Sequence, residues 1–448
     1  MKVGFYEAEV TPPLGTGIPG YFFQRNAVAV KQRLYVKAMV VESGGAYAAV
    51  LGVDALALPF NFSERVRENV AKRIPIDPYS IAMGATHAHT SMPVRPDQYA
   101  DDNVEEVAAL MKIIVRRAAD AIVLAYQRLQ EADAFYAATA VNGIACVRNC
   151  VLKDGQIRTN PYDFLDQVVR TAAEPDPTLP LLLFKDKQDN PIGTLVSFAC
   201  HHDTVCTSEY SSDYSGVLAR LLKEQYGPDF VSVFVSGFSG DINHANFLLK
   251  KPVTLTTEQI GERLFRGYLE AASTAEKLTD DTVSFKWDTL RATKRDPGKE
   301  FLDSVKVVMA GPEPEVTYDE DGNRVDKVSE PYSDNQKYAA GRTLLEWYDN
   351  DEREKDIPLL VIRIGEFALY STPGEPFCDY AKQLRQLAPT DKTLMMQLSH
   401  IGYPVSYIPT PERFLPYVYE SAYYSAGFEP ETGDNMVAKL TEMAKSLF

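Results

Sequence analysis

The sequence predicts an α/β (α+β mixed) protein, with mixed β-sheets flanked by helices and the functional site at strand ends. Three observations carry this. Apolar runs of strand length alternate with amphipathic helical patterns, and Gly, Pro, Asn and Asp punctuate the joins. Three times, a strand-like run leads through a turn into a polar cluster: residues 80–83 into His87 and His89, 193–198 into His201 and His202, and 231–235 into Asp241 and His244. A sheet arranged in this way gathers a site along its ends.

Taken in order, residues 1–60 read as strands and turns. Pro12-Pro13-Leu14-Gly15 and Pro19-Gly20 are turns; 36–41 and 48–53 are β-rich apolar runs, the second ended by Asp54. Residues 62–73 form an amphipathic helix opened by Asn61 or Ser63, so the run at Ser80 completes strand, helix, strand. Over 103–130, Val107, Leu110, Ile113, Ile114, Ala118, Ile122, Ala125 and Leu129 recur at helical spacing, which predicts a long core-packed helix. Asp154-Gly155 inside 151–158 signals a hairpin, and 181–184 with 193–198 flank the turn Asp189-Asn190-Pro191. Residues 213–226 read as helix, and 231–235 as a buried strand entering the Gly-rich turn 237–241. The stretch 296–356 is the least core-like, with alternation over 315–327 around Asp321-Gly322 and a charged run at 349–356, and it predicts a solvated insertion. Residues 359–364 and 367–370 make a strand pair leading into Pro373-Gly374-Glu375. The last helix, about 435–447, sets Met436, Leu440, Met443 and Leu447 on one face.

Bulk properties narrow the function. A chain of 448 residues exceeds the usual single core, so one large domain with insertions or two domains with a shared interface is expected. Hydrophobic residues at 45% and charged residues at 24% are globular values. The net charge of −16 disfavours nucleic acid or an anionic membrane as partner, leaving a small-molecule substrate; nothing in the sequence fixes an oligomeric state. Five cysteines, an odd number, fit reduced thiols, and Glu7 and Glu9 interrupt the N-terminus before an apolar run of signal length can form. A cytoplasmic location is therefore the expectation. The apolar stretch 48–58 is broken by Asp54 and bounded by Pro59, too short to span a bilayer.

Histidine placement is the main functional clue. Of six histidines, His87 and His89 sit two apart at one strand end, where an extended chain points both to one side, and His201 and His202 end another. Asp203, Asp241 and Glu375 follow comparable runs. Zn²⁺ takes neutral imidazole and carboxylate and leaves a position for water, so a metal-dependent hydrolase is the economical reading. A serine hydrolase fits less well, because Val235-Ser236-Gly237-Phe238-Ser239-Gly240 lacks the spacing of a nucleophile elbow. His202 and His244, with Asp203 or Asp241, could supply a second metal. Asp54, Asp203, Asp213 and Asp241 either orient imidazoles or cap turns and helices. Arg148 either anchors an anionic substrate group or is a surface arginine, and His400 reads as structural.

Several segments resemble one family. Ala85-Thr86-His87-Ala88-His89-Thr90-Ser91 is similar to the Ala-Thr-His-Thr-His-Ser-Gly signature of the neutral/alkaline non-lysosomal ceramidase family. Phe198-Ala199-Cys200-His201, Gly240-Asp241-Ile242-Asn243, Thr372-Pro373-Gly374-Glu375 and Tyr407-Ile408-Pro409-Thr410-Pro411-Glu412 resemble its further motifs in order, and Val10-Thr11-Pro12-Pro13 and Gly20-Tyr21 also fit. The resemblance spans nearly the whole chain. It implies a single catalytic domain over 1–448, without the family's C-terminal immunoglobulin-like domain. It also implies one zinc held by His87, His201, Glu375 and Tyr407, with His89 as general base or proton shuttle and Tyr419, twelve residues past Tyr407, polarising the scissile carbonyl. Tyr403 is the rival for the tyrosine ligand. The chain departs from the family at Asn243, where ceramidases carry serine; an amide can hydrogen-bond a carbonyl or orient water but forms no acyl intermediate. The resemblance thus implies a zinc-dependent hydrolase of an amide or related carbonyl bond in a small soluble substrate. A carbohydrate-active hydrolase on the same metal site, with Tyr417 to Tyr424 stacking on sugar, or a non-catalytic metal-retaining binding protein, is the alternative.

Overall fold

Strand runs that are apolar at all but one position, such as 36–41 around Lys37 and 231–235 around Ser232, can bury both faces at once, and the fold uses them in this way. The computed structural model describes residues 1–21, 25–58, 61–93, 104–249, 251, 254–312, 314, 333–399 and 407–448. A nine-stranded sheet contains β1 (Lys2–Glu9), β2 (Tyr35–Ser43), β3 (Ala46–Val53), β4 (Ile81–Ala85), β5 (Gln130–Ala140), β6 (Thr178–Asp186), β7 (Pro191–Phe198) and β8 (Val231–Ser236), in the order β8-β7-β6-β5-β1-β2-β3-β4, with the short strand Glu276–Lys277 added on β5. A second sheet runs β9 (Val283–Thr293), β10 (Glu354–Ile364), β11 (Phe367–Ser371) and β12 (Thr393–Met396). The predicted mixed sheets are present: β3–β4, β7–β8 and β11–β12 pair parallel, and the other neighbours pair antiparallel.

The period of two sorts side chains into layers. Val36, Ala38 and Val40 of β2 pack with helices α1 (Phe62–Ala71) and α2 (Val104–Gln127), whereas Met39 and Val41 face the second sheet. Leu181 and Leu183 face helices α3 (Asp213–Tyr226) and α4 (Thr257–Ser273), and Leu182 faces inward with Leu195, Val233, Leu360, Ile362 and Leu394. On its other side the second sheet buries Leu359 and Val361 against α6 (Asp334–Tyr348), α7 (Cys378–Leu387) and α8 (Thr432–Lys445). The layers run helix, sheet, sheet, helix.

The predicted helices at 62–73, 213–226 and 435–447 lie where expected, within a few residues. The long helix stops at Gln127 instead of Gln130, because Gln130 already opens β5. That strand reads as helix-forming in isolation, with five alanines in eleven residues, and it becomes a strand by pairing with β6 along nine positions. Within 296–356, the described residues form α5 (Lys299–Ala310) and α6, and α6 buries Ala340, Leu344 and Trp347. Asp321-Gly322 lies outside the described residues. No described helix is long and apolar enough to cross a membrane.

Asp54 ends β3 as a cap: its Oδ2 accepts the Tyr35 N–H at 2.8 Å. Burial lifts its pKa from 3.8 to about 6, although the Lys37 charge and the Tyr35 N–H act against the rise. A folded-state pKa above the unfolded value means that the contribution is whole below pH ~4 and is lost as pH rises through about 6. Wild type should therefore lose about 2 kcal/mol relative to Asp54→Asn between pH 4 and 7; a flat difference in denaturation free energy across that window would refute the assignment. Separately, Leu195→Ala, which opens a cavity between the sheets, should cost about 3 kcal/mol in the same assay, and a cost below ~1 kcal/mol would contradict the packing described.

Candidate metal centre

The strand ends meet because the two sheets are stitched at one corner. Gln397 N–H, just past β12, donates to the Ser236 carbonyl at the end of β8 (2.9 Å), and Gly84 of β4 bridges Ser399. Gly240 N–H donates to the Pro376 carbonyl at 3.0 Å, so the turn after β8 lies against the strand Glu375–Pro376, which pairs with Tyr407–Ile408. A Cβ at Gly240 would lie 2.3 Å from the Glu375 carbonyl oxygen, so only glycine permits the approach.

The two histidines converge for a reason other than the pleat. Extended structure ends at Ala85, and His87 adopts φ 71°, a left-handed conformation that is costly for a residue with a side chain. Surrounding bonds hold it: His87 N–H donates to Ala55 O (2.9 Å) and His89 N–H to His202 O (2.9 Å). The turn brings His87 Nε2 to 3.3 Å from His89 Nε2.

His87, His89 and His201 form a group whose donor atoms all lie within 4.8 Å of one another. His87 Nδ1 donates to Leu56 O at 2.8 Å and His201 Nδ1 to Ile242 O at 2.9 Å; a carbonyl only accepts, so both Nδ1 atoms carry the proton and both Nε2 atoms present lone pairs. Glu375 Oε2, also an acceptor, lies 3.3 Å from His87 Nε2 and 3.6 Å from His201 Nε2. Burial, then Arg148, holds His201 well below the usual histidine range, so it stays neutral. Acceptors converging at such distances repel unless a cation sits among them, so the donor set fits a metal such as zinc. Burial and His87 lower His89 to about 3, which leaves it uncharged as well.

Tyr407 OH lies 3.4 Å from His201 Nε2 and accepts from Arg148 Nη2 at 3.1 Å. Burial and Glu375 push its phenol up, and Arg148 opposes them. Arg148 is buried, which excludes the surface reading. Its Nε donates to Glu420 Oε1 (2.6 Å), its Nη2 to Gly240 O (2.7 Å), and its Nη1 lies 3.4 Å from His201 Nε2. Asn149 and Thr159 donate to the other Glu420 oxygen. Tyr419 stands edge-on to Tyr407, with ring centroids 5.8 Å apart.

Other predicted residues sit apart from this donor set. His202 stacks on Tyr214 with centroids 3.8 Å apart and meets Phe234 edge-on, as a packed aromatic. His244 Nδ1 lies 3.1 Å from Asp203 Oδ1, and Asn243 Nδ2 donates to Asp203 Oδ2 at 3.4 Å. Burial works against the charge on both partners of that pair, yet Asp203 falls well below and His244 rises above its ordinary value, because each stabilises the other. No donor group of three among the described residues includes His202, Asp203 or His244, so the second metal set is not assembled. Asp241, Cys378 and Asp379 do cluster, but Arg413 fills that cluster: it pairs with Asp241 and, at 2.5 Å, with Asp379, while Cys378 N–H donates to Asp241. Asp213 accepts from Thr204 and Tyr214 at the start of α3. Asp54 and Asp213 are thus caps and Asp241 a buried ion-pair partner. His400 and Tyr403 lie outside the described residues. Sequence reading missed Arg25, whose Nη2 donates to the His89 carbonyl at 2.6 Å and whose guanidinium lies 4.3 Å over the Tyr21 ring; no periodicity marks it.

Removing the Arg148 guanidinium strands Glu420. Arg148→Met should cost about 3–5 kcal/mol in equilibrium denaturation, and adding Glu420→Gln should recover part of that loss. Equal stability of the single variant and wild type would show that the pair is not buried as described.

No family model matches the chain, and no curated protein matches its sequence. Among solved structures it is similar to neutral ceramidase from Pseudomonas aeruginosa, with TM-score 0.71 and 18% identity, covering 100% of this chain and 74% of that one. A ceramidase complexed with C2 gives the same TM-score and identity, over 100% and 75%. At that identity the likeness is one of fold, and the helix–sheet–sheet–helix chain described above has the fold of neutral ceramidase.

Proposed function

We propose that this chain is a zinc-dependent hydrolase that cleaves an amide or related carbonyl bond in a small soluble substrate. The observation that carries the reading is the convergence of the His87 and His201 lone pairs on the Glu375 carboxylate, 3.3 and 3.6 Å away, with Tyr407 alongside. The names of the structural neighbours, both ceramidases, support the choice of an amide bond.

His87, His201, Glu375 and Tyr407 would hold the zinc, and bound zinc supplies Lewis acidity that lowers the pKa of water and polarises a carbonyl. The protein's own groups do the rest. The Nδ1–H bonds to Leu56 and Ile242 fix both imidazole planes. Arg148 braces Tyr407. His89, uncharged and within the cluster, accepts a proton from the attacking water and returns it to the leaving group. The Tyr419 hydroxyl donates to the oxyanion as it forms. Asn243 cannot form an acyl intermediate, so the attack is direct.

Chelation should abolish turnover and zinc should restore it, assayed on N-acyl amino acids, acylated amino sugars and glycosides side by side. His87→Ala should lose bound metal, whereas His89→Ala should keep the metal and lose about 10²–10⁴ in kcat. Turnover indifferent to chelator, or undiminished metal content in His87→Ala, would overturn the proposal.

A further inference from the structure

A cleft of 640 Å³ lies between the β1–β2 pair and α3, and it shares no residue with the donor cluster. Most of the charges lining it are mutually satisfied. Lys223 pairs with Glu7, Arg220 with Glu224 (2.8 Å) and Glu258 (2.9 Å), and Arg33 with Glu9 (2.8 Å). Two cations are left over. Lys31 is exposed at the rim, and Lys37 lines the floor at 7% exposure, with no ion pair or hydrogen bond among the described residues.

Lys37 is unusual for three reasons. It sits directly across from Glu7 in the β1–β2 ladder, yet the Glu7 carboxylate is drawn to Lys223 of α3. Its ammonium is 5.7 Å from the Tyr35 ring centroid, a weak substitute for an anion. The buried carboxylate that feels its charge, Asp54, is engaged with the Tyr35 N–H and lies beyond ion-pair distance. The Lys37 stem is buried while its ammonium, unpaired among the described residues, lines the cleft, where an anion would give it a charge-assisted partner. The chain's net charge of −16 opposes any anion at long range, so capture there depends on direct charge-assisted contact, for which a phosphate group offers several strong acceptor oxygens.

We propose that this cleft binds a phosphate group, either free phosphate or that of a small phosphomonoester, with Lys37 at its floor and Lys31 at its rim. Titration calorimetry on the zinc-replete full chain, in about 0.15 M salt to screen non-specific attraction, tests it with inorganic phosphate and phenyl phosphate. Wild type should bind at least one of the two: phenyl phosphate alone identifies a monoester, and both alike identify the free anion. Lys37→Met keeps the buried stem and removes the charge; it should weaken binding at least about tenfold while leaving zinc content unchanged. Lys31→Glu, exposed and harmless to folding, should weaken it as well and carries the test if Lys37→Met fails to fold. Absence of binding to wild type, or equal affinity in wild type and either folded variant, overturns the proposal; the latter would place the phosphate at the metal centre.

Discussion

The face-to-face packing of the two sheets is the constraint on which everything else rests. Leu182, Leu195 and Val233 from one sheet meet Leu360, Ile362 and Leu394 from the other in a fully buried layer. Because that layer fixes the sheets against each other, the ends of β4, β7 and β8 come level with the chain leaving β11 and β12. Four segments far apart in sequence then deliver His87, His201, Glu375 and Tyr407 to one place. A site gathered from rigid strand ends needs few flexible parts, and here the local adjustments are small: one left-handed residue at His87 and one glycine at 240.

Around that corner the protein buries charge in pairs. Arg148 with Glu420 lies on one side of the donor set, and Arg413 with Asp241 and Asp379 behind the turn that carries Gly240. Such pairs add little net stability compared with apolar packing, but each commits several hydrogen bonds to one geometry. Arg148 ties together Glu420, Gly240 and Tyr407, three segments that no sheet ladder joins. Their role is to set position, which suits a centre whose imidazoles must hold their Nε2 atoms inward.

Much of this was legible in the chain. Strand–turn–polar runs mark their own ends, so His87, His201 and the turn at Asp241 could be seen from spacing, and helices with long apolar stripes such as α2 announce themselves. What spacing could not show was long-range pairing. The Ala-rich β5 is a strand only because β6 lies beside it. Asp54, Asp213 and Asp241 all read alike in sequence, as partners of imidazoles or as caps, yet two cap backbone and one meets an arginine 172 residues away. His202 is adjacent to His201 and alternates to the other face, where Tyr214 receives it. The His-x-His pair converges as expected, but through a left-handed turn instead of an extended pleat.

The turn after β8 is where this chain differs in chemistry from the family it resembles. Asn243 donates its amide to Asp203, and Asp203 in turn faces His244, so the residue for which the resemblance leads one to expect serine is part of a polar chain that begins two residues after His201. A hydroxyl there could attack a carbonyl; an amide already engaged with a carboxylate cannot. Under the proposed reading, water is then the sole nucleophile, and the acid–base work falls on His89, whose ring is held by the His87 turn on one side and by the Gly20 backbone on the other. Gly20 adopts φ +113°, and a Cβ there would lie 2.9 Å from that imidazole. The glycine of a turn near the N-terminus is thereby packed against the His89 ring, and Tyr21 meets the same ring edge-on, so the short Gly20-Tyr21 segment lies beside the donor cluster.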